Sequence, residues 1–145
     1  MDSLSDVGSP SPTTVVIPSD AAEARRVQEE IEEVLRAHHY SPHDIFGIKL
    51  ALEEALVNAI KHGNQMDRSK TVQVAYRVTP DRFDVLVVDQ GPGFDPSDVP
   101  DPTAVENLER PSGRGVMLMK HYMNEVGYNE CGNSVSMTKY RNNVG

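Results

Sequence analysis

The apolar pattern of the chain begins with a β-branched run and continues with apolar residues at helical spacing. Thr13 to Ile17 is ended by Pro18, which predicts a short strand. A helix is predicted from Ala21 to about His39, with Ser19 or Asp20 as its N-cap. The apolar face expected for this helix consists of Ala22, Val27, Ile31, Val34 and Leu35.

A second helix, predicted over residues 42–61, contains two polar residues inside an otherwise apolar pattern. Glu54 and Asn58 are four residues apart and therefore share a narrow stripe of the helix. Gly47 and Ala51 lie on the same stripe upstream, so the sequence predicts open space beside the carboxylate and the amide. Such a space would suit the floor of a ligand site. A solvated surface pair is the alternative, and for an isolated Glu-x-x-x-Asn it is the commoner case.

The rest of the chain alternates strands with one more helix. Thr71 to Val78 alternates apolar and polar residues, and Phe83 to Val88 returns as a more buried strand, which predicts an antiparallel hairpin. A helical run from Val116 to Met123 is followed by strands at about Glu125 to Asn129 and Ser134 to Arg141. This order predicts an α+β fold, a two-layer α/β sandwich with a mixed, mostly antiparallel sheet and helices on one face.

Two segments lack apolar periodicity. Residues 1–12 have little apolar content, so we expect a disordered tail followed by a single domain over residues 13–145. Residues 95–112 contain four prolines and five acidic residues, which is typical of a lid or a disordered insert. Gly63-Asn64 is expected to end the second helix.

Composition excludes several classes of function. A formal net charge of −8 argues against nucleic acid or an anionic membrane as a direct partner. The single cysteine, Cys131, excludes an internal disulfide and offers no zinc spacing. The chain has no secretory signal pattern and no run of ~20 apolar residues, so we expect a cytoplasmic protein.

Two glycine motifs add candidate chemistry. In residues 89–93, Asp89 follows a buried strand and can accept hydrogen bonds from an exocyclic amine, while the glycines admit close backbone approach. Residues 113–115 (GRG) precede a predicted helix, whose free N–H groups and dipole suit phosphate. Taken singly, the first motif is more typical of a plain Gly-Pro turn, and the second is indistinguishable from a glycine hinge. Their order after the Glu54–Asn58 helix is much more specific.

Together, EEALVNAIKHG, DQGPGF and SGRGVMLM resemble the N, G1 and G2 boxes of the GHKL ATPase superfamily of gyrase, Hsp90-type chaperones, histidine kinases and mismatch-repair ATPases. Within it, the small size and the EEALVNAIKHG form most resemble bacterial anti-sigma factors that are also serine/threonine kinases. The similarity covers about residues 13–141. It implies a left-handed α/β sandwich, the Bergerat ATP-binding fold, with Mg-ATP as the ligand.

The resemblance also implies roles for individual residues. Asn58 matches the residue that holds magnesium, Glu54 the general base and Asp89 the acid that reads adenine. The glycines assigned to the nucleotide and its phosphates are Gly91, Gly93, Gly113 and Gly115. Relatives often carry Gly-Thr in the last strand, where this chain has residues 132–134 as Gly-Asn-Ser.

Two arginines resemble phosphate-binding residues of the lid. Arg110 is followed by Pro111, which shifts its spacing to the glycines, and Arg114 stands between them. For both, the alternative is a solvated lid charge.

The resemblance implies a kinase that phosphorylates a serine or threonine of a STAS-type anti-sigma antagonist, and that otherwise sequesters a sigma factor as a homodimer. A non-catalytic ATP-binding adaptor or anti-sigma module is the first alternative, although the presence of Glu54 favours catalysis. A histidine-kinase catalytic domain is the second. It is disfavoured because the chain has no room for a phosphorylated helical hairpin, and His62 is the nearest histidine to the motifs.

Overall fold

The computed structural model describes residues 11–91, 111–129 and 132–141, with the backbone alone for residues 111–116. The expected tail, apart from its last two residues, and most of the expected lid therefore lie outside the described residues, as do Gly93 and Arg110. Within the described ranges, no helix has the length and apolar character needed to cross a bilayer.

The described residues form five strands and three α-helices, and a π-helical turn continues the second helix. In chain order the elements are β1 (Thr13–Pro18), α1 (Ala21–Ala37), α2 (Pro42–Val57), the π turn (Asn58–Gly63), β2 (Thr71–Val78), β3 (Arg82–Val88), α3 (Pro111–Tyr122), β4 (Glu125–Tyr128) and β5 (Ser134–Tyr140).

The strands form one sheet in the order β1-β2-β3-β5-β4. Each pair among the described strands is antiparallel, so the sheet is antiparallel here rather than mixed. Alternate strand residues such as Val72, Val74 and Phe83 are buried in a core shared with the helices, whereas Val16 and Leu86 on the opposite face are exposed. The predicted α+β fold with helices on one face is confirmed.

Helices α1 and α2 each begin directly after a residue whose side chain caps the helix. The Asp20 carboxylate accepts a hydrogen bond from the Ala22 N–H at 2.8 Å and caps α1. Ser41 caps α2 by accepting from the Asp44 N–H at 3.1 Å. The predicted apolar face of α1 was wrong at Ala22, which is exposed, because Ala24 is the residue that lies on the core side.

The space expected beside Gly47 and Ala51 is occupied by protein, so that prediction was wrong. A Cβ on Gly47 would lie 3.2 Å from Cδ1 of Tyr122 in α3. Ala51 is also fully buried. These small residues let α3 pack closely against α2, and they leave no room for a ligand at that end of the helix.

The end of the second helix differs from the predicted α-helical end at Lys61. Regular α-helix stops at Val57, and residues 58–63 continue as a π turn in which the Asn64 N–H donates to the Ala59 carbonyl at 2.8 Å. A π turn is uncommon and often marks a functional site, because it redirects the side chains that follow it.

The third helix begins five residues before the predicted Val116. It starts at Pro111, a residue that favours the first helical position because it has no N–H to leave unpaired. Gly113 and Gly115 therefore lie in the first turns of α3 rather than before it. Helix α3 packs against both α2 and the π turn.

Candidate functional site

A cavity of about 140 Å³ lies between the end of α2, the π turn and the adjacent end of the sheet. Its apolar wall includes Ala55, Val87 and Val135. The polar residues that line it are Asn58, His62, Asp89, Tyr128, Asn133 and Ser134. Two residues predicted from different motifs, Asn58 and Asp89, are therefore brought to the same site.

Asn58 is the first residue of the π turn, and its side chain carries an unusual acceptor. Its N–H donates to the carbonyls of Ala55 and Glu54, as expected where a helix continues. Its Oδ1, in contrast, is buried and accepts no hydrogen bond from any described residue. An unsatisfied buried acceptor costs about 1–3 kcal/mol. Such a cost is typical of an atom kept for a ligand, and an amide oxygen is a ligand type that magnesium accepts. The residue present thus fits a magnesium ion.

Glu54 lies one helical turn before Asn58, on the same face of α2. Its side chain is half-buried. It does not line the cavity, although the next residue, Ala55, does. The carboxylate predicted to be the base is therefore not among the described residues that line the cavity.

Asp89 follows the last residue of β3 and is held by two hydrogen bonds. Its Oδ1 accepts from the Gly91 N–H at 2.8 Å, and its own N–H donates to the Asn133 carbonyl at 2.9 Å. Burial raises the pKa of this carboxyl, while the Gly91 hydrogen bond and the charge of Lys70 act in the opposite direction. The site therefore presents a partly desolvated carboxylate to the cavity.

Two glycines allow the loop that contains Asp89 to lie against the π turn. A Cβ on Gly63 would come within 2.3 Å of the Asp89 Cγ, and a Cβ on Gly91 would come within 1.8 Å of the Gly63 carbonyl oxygen. Sequence reasoning assigned Gly91 to the nucleotide and Gly63 to the end of a helix. In the structure, Gly63 also makes room for the Asp89 carboxylate, and Gly91 makes room for the backbone of Gly63.

The start of β5 forms the remaining edge of the cavity. Ser134 pairs with Val88, next to Asp89, and Asn133 is fixed by hydrogen bonds with Asn129 at 2.7 and 3.0 Å. Gly132 adopts a positive φ of 72°, which glycine accommodates without strain. The Gly-Asn-Ser segment that departs from the Gly-Thr pattern thus still lines the site. Ser134 places a hydroxyl-bearing residue there.

Tyr128 and His62 are cavity residues that the motifs did not predict. Tyr128 comes from β4 at the sheet edge, and burial raises its pKa to about 12. His62 is exposed at the rim, within the π turn. The sequence holds a signal only for His62, which stands in the EEALVNAIKHG motif. The tyrosine reaches the site through strand pairing, which no local pattern encodes.

The remaining predicted residues are placed only in part. The backbones of Gly113, Arg114 and Gly115 lie in the first turns of α3, whereas Gly93 and Arg110 are outside the described residues. Contact of these five residues with a nucleotide stays a prediction.

Comparison with known proteins places the chain in a family. The family model of the histidine kinase-like ATPase domain matches residues 17–139. The chain belongs to this family, and the superfamily predicted from the three motifs is confirmed.

Within this family, the chain is similar to proteins named serine-protein kinase RsbW. The chain is 38% identical to the serine-protein kinase RsbW of Bacillus licheniformis over 112 residues, which cover 71% of this chain and 69% of that protein. It is 34% identical to the protein of the same name from Bacillus subtilis, with the same coverage, and 31% identical to that of Staphylococcus aureus, with 67% and 66% covered.

A solved structure shares the fold. The crystal structure of the RsbU and RsbW domains of a Mycobacterium tuberculosis protein matches 91% of this chain with a TM-score of 0.61 and 18% identity. This chain spans about a third of that protein, 32%. At this identity the likeness shows the fold alone.

Proposed function

We propose that this protein binds Mg-ATP and transfers the γ-phosphoryl group to a serine or threonine of a partner protein. The observation that carries the proposal is that Asn58 and Asp89 line one cavity. The first offers a buried oxygen without a hydrogen-bond donor, and the second offers a partly desolvated carboxylate. The relatives named serine-protein kinase support the reaction class.

Asp89 reads the base. A carboxylate accepts hydrogen bonds from an exocyclic amino group, which adenine carries and guanine lacks at the equivalent position. The apolar wall of Ala55, Val87 and Val135 suits the faces of a flat heterocycle. A cavity of about 140 Å³ accommodates a ring-sized group, so the phosphates extend beyond it.

The phosphate end of the site is formed by Asn58 and α3. Asn58 would hold a magnesium ion through Oδ1, and the ion would neutralise charge on the phosphates. The first N–H groups of α3, including that of Gly113, have no partner within the helix and suit phosphate oxygens. Arg110 and Arg114 are the candidate cations for the same oxygens.

Glu54 acts as the general base. It accepts the proton of the attacking hydroxyl as that oxygen bonds to the γ-phosphorus and ADP departs. The position of Glu54, one turn from Asn58 and outside the base-sized cavity, supports a role at the phosphate end rather than at the base.

The proposed substrate is a STAS-type antagonist protein. When the antagonist is not bound, the protein sequesters a sigma factor. We propose that it does so as a homodimer in the cytoplasm. The net charge of −8 supports protein partners over nucleic acid.

The test is a phosphorylation assay with labelled ATP, magnesium and each STAS-domain protein of the source organism. Glu54→Gln should lower the transfer rate roughly 10²–10⁴-fold and leave ATP affinity nearly unchanged. Glu53→Gln is the matched control, because Glu53 is an exposed neighbour on the same helix and should retain the parent's rate. Equal rates for Glu54→Gln and the parent would refute the assigned base. ATP binding without transfer to any candidate would favour a non-catalytic adaptor.

A further inference from the structure

Asn64, the residue after the π turn, is fully buried, with 0% of its surface exposed. A buried side-chain amide is costly unless its donors and acceptor are paired. Its position after Gly63 indicated only the end of a helix. The structure gives its side chain three hydrogen bonds to three separate parts of the chain.

The amide nitrogen of Asn64 anchors the residue to the scaffold. Nδ2 donates to the Ser19 hydroxyl oxygen at 2.9 Å and to the Thr71 carbonyl at 2.9 Å. Ser19 lies between β1 and α1, and its hydroxyl in turn donates to the Lys70 carbonyl at 3.0 Å. Asn64 is therefore fixed at the start of the central hairpin, independently of the cavity.

The amide oxygen of Asn64 is directed to the loop that contains the base-reading carboxylate. Oδ1 accepts from the Gln90 N–H at 2.7 Å, and Gln90 stands between Asp89 and Gly91. The Gln90 side chain adds a second connection, because its Oε1 accepts from the Thr71 N–H at 2.6 Å. The loop is thus tied to β2 both directly and through Asn64.

The hydrogen bonds of Asn64 lie next to the close contact between Gly91 and Gly63, because Asn64 directly follows Gly63. Because Gly91 lies against the last residue of the π turn and Asn64 is the next residue, one short segment holds both the Asp89 loop and the turn that starts at Asn58. A change at Asn64 is therefore expected to affect both Asn58 and Asp89.

We propose that Asn64 is a positioning residue of the nucleotide site, which holds the Asp89–Gly91 loop through Gln90 at the distance from the π turn that the base requires. The inference rests on the proposed function, since it assigns Asn64 a role in ATP binding. A buried asparagine that stabilises only the scaffold is the competing explanation.

Three variants separate the two explanations. Asn64→Ala removes the acceptor of the Gln90 N–H. Asn64→Asp retains that acceptor but removes both Nδ2 donors. Ser19→Ala removes one anchoring contact and leaves the Gln90 link intact. ATP affinity is measured by calorimetry with magnesium, under conditions where each variant is folded, and hydrogen exchange of the Gln90 amide is measured without nucleotide.

Asn64→Ala should weaken ATP binding roughly tenfold or more and speed Gln90 exchange by a similar factor. Ser19→Ala should lower stability while ATP affinity and Gln90 exchange stay near the parent's. Asn64→Asp should recover most of the slow exchange at Gln90, and this variant decides the question if Asn64→Ala does not fold. ATP affinity and Gln90 exchange that are unchanged in a folded Asn64→Ala, or fast exchange in Asn64→Asp, would overturn the proposal.

The outcome for the parent protein separates this proposal from the one on which it rests. If the parent binds no ATP, the proposed function fails, and the assignment of Asn64 to nucleotide binding fails with it. If the parent binds ATP and Asn64→Ala binds equally well, only the role of Asn64 is refuted.

Discussion

The backbone of Gly91 lies so close to Gly63 that a Cβ on Gly91 would be 1.8 Å from the Gly63 carbonyl oxygen. The loop after β3 and the π turn after α2 are therefore in direct backbone contact. The residues that flank this contact, Asp89 and Asn58, are the two polar residues that the proposed ATP site requires.

Gly91→Ala should move the loop, because a backbone carbonyl cannot yield as a flexible side chain does. We expect the free energy of unfolding to fall by roughly 1–3 kcal/mol and ATP binding to weaken. Denaturant unfolding and calorimetry measure the two effects. Gly127→Ala is the control, since its Cβ would meet Ser136 Oγ at an ordinary 3.5 Å. Equal behaviour of the two variants would contradict the described contact.

Asp89→Asn should abolish ATP binding without lowering the stability of the fold. Burial raises the pKa of Asp89, so the folded state binds the proton more tightly than the unfolded state does. This carboxyl therefore opposes folding increasingly as the pH rises from its ordinary pKa of 3.8 through the folded pKa.

We expect Asp89→Asn to be at least as stable as the parent at pH 7, with the difference shrinking toward pH 3.8, while ATP affinity is lost. Urea unfolding at several pH values gives the first result and calorimetry the second. A variant that is less stable at pH 7 and still binds ATP would contradict both assignments.

Asp84 lies on the sheet face away from the helices. Its pKa is shifted in the direction opposite to that of Asp89. Burial raises its pKa, but hydrogen bonds from Arg82 and Thr138 outweigh this effect, and the net pKa is lowered. The Thr138 hydroxyl donates to Asp84 at 2.7 Å, and Arg77 adds a contact at 3.4 Å. Its stabilising contribution is therefore present above the ordinary pKa of 3.8 and is lost as the pH falls through the lower folded pKa.

Asp84→Asn should cost about 1.5–3 kcal/mol at pH 7, the range for hydrogen bonds to a charged group. The difference from the parent should disappear in strong acid. Asp81→Asn is the control, because Asp81 is exposed in the neighbouring turn and should change stability little. ATP affinity should be unaffected in both variants, and urea unfolding from pH 7 downward provides the measurement.

Local patterns predicted most of the fold. Asp20 and Ser41 mark helix starts because a capping side chain acts on its own neighbours. The hairpin of β2 and β3 follows from alternation and a short turn. Ala22 was misassigned because one alanine in the first turn carries too little apolar surface to define a helix face.

The parts that were missed depend on contacts between elements distant in sequence. Gly47 is small because Tyr122 packs on it, and the sequence cannot distinguish that from space for a ligand. The role of the Asn64 side chain depends on hydrogen bonds to Ser19 and Gln90, which are 45 and 26 positions away in the sequence. The three motifs predicted that Asn58 and Asp89 share a site, but the groups that hold them in place are visible only in the structure.

The proposed Mg-ATP site is tested most simply by calorimetry of ATP binding, with and without magnesium, for the parent and Asn58→Ala. Because Asn58 Oδ1 has no donor among the described residues, its removal should leave stability unchanged or raise it. ATP binding by the parent should require magnesium, and Asn58→Ala should lose this binding while being at least as stable as the parent. Magnesium-dependent binding that survives in Asn58→Ala, or no ATP binding by the parent, would contradict the proposed site.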